Sequence, residues 1–518
     1  MEIIGRLLDI LKYNPQEPMI FSSGVFLVLF LFFALGYMML EKKLTARLVF
    51  VTLFSYYFYY KSSGFYFFLL AVVTVSDFYI ARAIHSLTLT DSSQLPSEGE
   101  GPRRAVRLLS PSLRRGRGRL LLLVLSLIID LGLLGYFKYT NFFAGTLAAI
   151  VGHNFQPWDI FLPVGISFFT FQSMSYTIDI YRGQLKPLPQ LLDYAFYVSF
   201  FPQLVAGPIV RARDFVPQIR KPLRITNRMF AEGIFFVVIG LFKKAVISDY
   251  ISLNYIDRVF ENPMLYSGVE TLLALYGYTI QLYCDFSGYS DMAIGLALLL
   301  GFKFPMNFDA PFKSASISEF WRRWHISLSS WLRDYVYISL GGSRKGKART
   351  YLNLFIVFLL CGLWHGANFN YVAFGAMHGL LIVIHRFYSQ EVLHHDRHYN
   401  PTGWRRYVSV FITVHMLCLS WILFRNTSFD YTWAMLHQLF TQFHPELLLQ
   451  VLVAYKYVFM LVLFGFVTHY LPASVHNRCV YLLRRGGVPL CVAVLVVVIY
   501  IVIQVKSTDI QPFIYFQF

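Results

Sequence analysis

Runs of about 20 apolar residues follow one another along nearly the whole chain, and that excludes an ordinary water-soluble domain. Such runs lie at 20–40, 46–60, 64–84, 119–138, 160–180, 191–209, 229–250, 267–283, 286–303, 351–366, 370–387, 405–424, 451–471 and 487–506. They predict an all-α, polytopic transmembrane helical bundle of about 11 to 14 helices. The short runs 46–60 and 351–366 are expected to be re-entrant or buried among other helices. Charge supports this reading: 14% of the 518 residues are charged, against roughly 25% in a soluble domain. Residues 1–19 read as an amphipathic segment on the membrane surface, without the continuous apolar core of a cleavable signal. Residues 20–518 read as a single transmembrane domain.

The net charge of +17 falls between the apolar runs, where Lys and Arg set topology and meet anionic headgroups. Membrane lipids are therefore expected partners. Nucleic acid is not, because the aromatic residues that would stack on bases sit inside the apolar runs. The insertion 86–118 is rich in Ser, Pro and Gly and carries Arg103, Arg104, Arg107, Arg114, Arg115 and Arg117. It reads as a loosely held basic loop on the cytoplasmic side. The five cysteines, Cys284, Cys361, Cys418, Cys479 and Cys491, are scattered. They have neither metal-ligand nor disulfide-framework spacing, so no metal is expected.

Chemistry concentrates between about 305 and 380. Ser316 and Glu319 have capping-box spacing. A helix is predicted from there to Gly341 and Gly342. On it, Trp321, Trp324, His325, Leu328, Trp331, Leu332 and Tyr335 form one stripe, with Arg322, Ser329 and Arg333 on the other side. His325 thus lies on the aromatic face, and the pattern admits a packing histidine as well as a reacting one. His365 ends a fully apolar run, and an ionisable residue at membrane depth marks function by default. A helix–helix hydrogen bond is the competing role. Gly362 and Gly366, and again Gly375 and Gly379, are spaced for close helix approach. His378 reads as packing. Asp285, Ser287, Ser290 and Asp291 sit in apolar context. They could line a tunnel or be paired structurally. No G-x-S-x-G elbow suggests a serine acyl-enzyme. Imidazole is suited to moving the proton of an attacking hydroxyl near neutral pH.

The block WRRWHISLSSWLRDYVYISLGG at 321–342, followed by GLWHG at 362–366, resembles the membrane-bound O-acyltransferase family. So do LPVGISFFTFQSMSYTIDIYRG at 162–183, FPQLVAGPIVR at 201–211 and YCDFSGYSDMAIGLALLLGF at 283–302. Within that family the chain is most similar to the alginate-type O-acetyltransferase membrane subunits. The resemblance implies a helical core around a central tunnel in a bacterial cytoplasmic (inner) membrane. It implies that His365 is the catalytic histidine and His325 the second signature histidine. Their expected roles are a general base or proton relay for His365 and polarisation of the donor carbonyl for His325. Trp324, Trp331 and Trp364, with Asp285, Ser287 and Asp291, are expected along the tunnel. The implied reaction moves an acyl group, acetyl above all, from a cytoplasmic thioester such as acetyl-CoA to hydroxyls of an extracytoplasmic polysaccharide. A periplasmic acetyltransferase is the expected partner, and no bound cofactor is expected. D-alanyl or other acyl transfer to an envelope polymer, and a transporter without chemistry, are the alternatives.

Overall fold

The computed structural model describes residues 9–92, 102–396 and 399–505. All regular elements among the described residues are helical. Among the described residues six helices are long and apolar enough to cross a membrane. The number is seven if Pro445–Ala454 and Lys456–Tyr470, bent by 93°, count as one span. The bundle is all-α and polytopic as the apolar runs predict, with fewer spans than runs. Two causes are local. The runs 267–283 and 286–303 form one helix, Gly268–Leu299. The run 191–209 breaks at Phe200 into Leu191–Ser199 and Phe201–Leu204. Helix α1, Gly24–Met39, has 16 residues, or ~24 Å, short of a hydrocarbon core of ~30 Å.

The chain divides into two compact units, Met1–Arg224 and Ile225–Phe518, where the sequence reads as one domain. In the first, α2 (Leu44–Ser63), α3 (Phe67–Ser92), α4 (Pro102–Leu134) and α5 (Ile166–Tyr181) follow α1. The expected loose loop at 86–118 is helical on both flanks, since α3 and α4 run into it, while 93–101 lie outside the described residues. Of the expected surface segment 1–19, residues 1–8 also lie outside them. The part that follows is tied to α2: Lys61 donates to the carbonyl of Ile10 at 2.8 Å, and Tyr57 to that of Leu11 at 3.1 Å.

The second unit holds both signature histidines. Its main helices are α6 (Asn227–Leu241), α7 (Gly268–Leu299), α8 (Ile317–Arg323), α9 (Ile326–Trp331), α10 (Lys347–His365), α11 (Phe369–Phe387), α12 (Gly403–Arg425), α13 (Lys456–Tyr470) and α14 (Ala473–Val505). Helix α7 starts at a full capping box, Ser267 with Glu270, and is buried along most of its length. Its carboxylates face lysines on the π-helical turn Phe242–Ser248. Lys243 meets Asp291 at 2.7 Å, and Lys244 meets Asp285 at 2.6 Å and Asp249 at 2.7 Å. Leaving one member of such a buried pair alone costs about 3–5 kcal/mol.

Helices α10 and α11 form a tight hairpin at the Gly362 and Gly375 positions read from the sequence. A Cβ on Gly362 would overlap the Tyr371 carbonyl, and one on Gly375 would overlap that of Phe358. Asn370, on the first turn of α11, donates to the Asn426 carbonyl at 2.9 Å. That bond ties the turn after His365 to the end of α12.

Candidate active site

The helix expected from Ser316 to Gly341 is broken in its middle. Ser316 does cap α8, accepting from the Glu319 N–H at 3.2 Å, but α8 ends at Arg323. Trp324 is extended, and His325 takes a left-handed conformation at φ 46° and ψ 54° before α9 begins. Away from glycine this conformation costs roughly 1–2 kcal/mol. A neighbouring loop offsets the cost. Asp309 N–H donates to the Arg323 carbonyl at 2.9 Å, and Ile326 N–H to that of Asn307, also at 2.9 Å. The stripe residues Trp321, Trp324, Leu328, Trp331, Leu332 and Tyr335 are buried as expected, and Arg322 and Arg333 are exposed. They are buried by a turned segment rather than one straight helix. Asn353, near the start of α10, donates to the Gly342 carbonyl at 2.9 Å, while His325 meets Trp364 near its end. The segment from His325 to Gly342 therefore runs back along α10, and His325 stands at the turn.

Asn307 organises that turn. Its Oδ1 accepts the Ser327 N–H at 3.2 Å and the Ser327 hydroxyl at 2.9 Å, and its Nδ2 donates to Ser290 at 3.1 Å. The backbone N–H of Ser327 can only donate, which identifies the atom it meets as oxygen. The same oxygen lies 3.2 Å from His325 Nδ1. Nδ1 must therefore carry a hydrogen, and in the neutral ring Nε2 holds the lone pair. His325 is fully buried and packs edge-on against Phe286 at 4.6 Å.

Both histidines contact the ring of Trp364, His325 at 5.8 Å and His365 at 5.1 Å between centroids. His365 is 2% exposed and packs on Phe424 at 5.2 Å. A cavity of about 310 Å³ lies beside this segment, lined by Trp321, Leu332, Phe358 and Cys361 together with Arg322 and Arg333. Cys361 is one turn before His365 on α10.

Of the other residues singled out from the sequence, Trp324 packs in an aromatic cluster with Phe308, Phe320 and Trp421. Trp331 packs at a tilt against Tyr335. Asp285 and Asp291 face lysines, and Ser287 is buried on α7 between them. His378 accepts from the Trp321 indole at 3.2 Å. Asn307 was not read from the sequence. It sits in the loop PMNFDAP, where no periodicity points to it, 18 residues before the histidine it orients.

Glu319 anchors the outer end of α8. Burial pushes its carboxyl up, but the Ala315 N–H at 2.8 Å and the guanidiniums of Arg323 and Arg406 hold it below its usual value.

Comparison with known proteins places this arrangement. Residues 181–429 match the membrane-bound O-acyltransferase family. The probable alginate O-acetylase AlgI of Pseudomonas aeruginosa is 40% identical over 82% of this chain and 75% of its own length. The peptidoglycan O-acetyltransferase of Helicobacter pylori is 39% identical over 60% of this chain and 62% of its own. The teichoic acid D-alanyltransferase of Bacillus subtilis is 31% identical over 53% and 71%. The match within the family spans α8 to α12, the helices around His325 and His365. With identity at this level across most of a relative's length, the chain belongs to the membrane-bound O-acyltransferase family and is an O-acyltransferase of the membrane.

Proposed function

We propose that this enzyme transfers an acetyl group from a cytoplasmic thioester, acetyl-CoA or a close analogue, to hydroxyls of an extracytoplasmic polysaccharide, directly or through a periplasmic partner. The observation that carries the reading is the pair of buried imidazoles against Trp364, one of them held in a single tautomer. The names of two relatives, an alginate O-acetylase and a peptidoglycan O-acetyltransferase, support the choice of acceptor class. In the reaction the hydroxyl oxygen bonds to the carbonyl carbon, the carbon–sulfur bond breaks, and the hydroxyl proton must reach the departing thiolate. The Asn307 bond favours His325 as proton acceptor at Nε2, a different role from polarising the carbonyl. His365 accepts that proton on one ring nitrogen and releases it to sulfur from the other. The slot beside Trp321 and Cys361 has apolar walls for a thioester arm, and Arg333 and Arg386 for a phosphorylated tail.

The test is thiol release and acetyl transfer by the full-length protein in lipid, with acetyl-CoA and D-alanyl thioester offered in parallel. Turnover of acetyl-CoA that depends on His365 supports the reading. Turnover of the D-alanyl donor alone replaces the acyl group. Thiol release from neither donor would overturn the acetyl reading and point to another acyl donor.

A further inference from the structure

A second, larger cavity, with neither His325 nor His365 in its lining, lies between α8, α11, the segment before α12 and α12 itself. Its volume is about 890 Å³, within the range of small-ligand sites. Along α12 its lining runs from Arg405 through Val408 and Ile412 to Met416, so one end is polar and the other apolar; Arg322, His385, His395, Asn400 and Leu381 also line it, with the carboxylates Asp309 and Glu319. The neighbouring cations are already engaged. Arg323 pairs with Asp309 at 2.9 Å and Glu319 at 3.0 Å, and Arg406 bonds to Asn400 and the Lys313 carbonyl. Arg322 and Arg405 form no ion pair among the described residues, although both line the cavity. The two carboxylates in the lining are engaged elsewhere, Asp309 by Arg323 and Glu319 by Arg323 and Arg406, which leaves Arg322 and Arg405 for a phosphate.

The apolar end identifies the kind of phosphate. Val408 and Ile412 are 46% and 52% exposed, and they lie on α12, a candidate membrane span. Phe411 and Ile384 beside them are 63% and 60% exposed, as befits residues facing hydrocarbon. At the cavity's level Trp404, Tyr407 and Tyr388 are 71%, 79% and 54% exposed, the placement of aromatics at a membrane interface. The cavity also lies at the basic ends of the spans. Lys347, which reaches Glu391 at 2.7 Å, Arg386, Arg405 and Arg406 gather there, an excess that marks the cytoplasmic face.

We propose that this cavity binds one anionic phospholipid of the inner leaflet, its phosphate between Arg322 and Arg405 and an acyl chain along Leu381, Ile412 and Met416. A water-soluble nucleotide would satisfy the arginines but would leave the apolar end against ribose. The bound lipid joins α8, three residues before His325, to the start of α12. Membrane composition would thereby bear on the stability of the signature turn. The proposal stands whether or not the acetyl reading holds.

The full-length protein is exchanged into a neutral detergent and titrated with phosphatidylglycerol, phosphatidylcholine, CoA and inorganic phosphate. Bound mass is read by native mass spectrometry, alongside Tm. Phosphatidylglycerol is expected to remain bound and raise Tm, with phosphatidylcholine, CoA and phosphate unable to replace it. Arg405→Gln should weaken its binding about 10-fold or more, the worth of one charge-assisted contact, and Arg405→Lys should recover part. The lipid-free Tm of each variant separates lost binding from lost folding. Equal effects of the two lipids, or unchanged binding in a folded Arg405→Gln protein, would overturn the proposal. Displacement of phosphatidylglycerol by CoA would give the cavity to the donor instead.

Discussion

Two regions of the second unit bury polar groups at similar depth and do so differently. On α7, Asp285 and Asp291 are answered by Lys244 and Lys243 at 2.6 and 2.7 Å, charge for charge. At the turn between α8 and α9, Asn307, Ser327 and Ser290 surround His325 with neutral groups that orient the ring without fixing a charge on it. The first arrangement lowers the cost of burying charge. The second leaves an imidazole nitrogen poised to gain or lose a proton. Buried polarity alone therefore does not mark the chemistry; its neutralisation tells the two apart.

The comparison breaks most readily at the histidines. His325→Ala and His365→Ala are each expected to lower thioester turnover by about 10²–10⁴, the usual worth of general acid–base groups, with Tm little changed. On α7 the effect should fall on stability. Lys244→Met leaves Asp285 buried beside one cation fewer and should cost about 3–5 kcal/mol, seen in denaturation of the protein in lipid. The pair Lys244→Met with Asp285→Leu should recover much of that loss. If the double variant is no more stable than the single one, the α7 pair does more than balance charge.

The sequence made the α10–α11 contact legible because glycine spacing encodes it directly, and Gly362 and Gly375 do meet at overlapping distance for any Cβ. The cap at Ser316 is local and was legible in the same way, and Gly341 and Gly342, with positive φ, follow a few residues after the helical turn ends at Tyr337. The break at His325 could not, because its left-handed backbone is held by hydrogen bonds from Asn307, distant in sequence and silent in periodicity. The partner of Asp285 was hidden for a similar reason. Lys244 lies on a π-helical turn about 40 residues earlier that reads as part of an apolar run. The apolar runs outnumber the long apolar helices among the described residues because apolar length does not distinguish a helix in lipid from one buried in protein.

A finer test falls on Asn307. Asn307→Ala removes the bond that sets the His325 tautomer and should lower turnover about 10–100-fold, the range of one buried hydrogen bond. A merely structural role would lower Tm and leave turnover per folded molecule unchanged. The smallest effect belongs to Glu319. Its carboxyl is held below the usual value, so its contribution is present above the unfolded value near 4.5 and is lost as pH falls through the folded one. The Tm difference between wild type and Glu319→Gln should be largest near pH 7 and vanish at low pH.

Turnover per folded molecule, compared between His365→Ala and the double variant Lys244→Met with Asp285→Leu, tests the central claim most directly. The account predicts that the double variant stays within about 10-fold of wild type while His365→Ala loses at least about 10²-fold. A folded His365→Ala protein that releases thiol at the wild-type rate would contradict it.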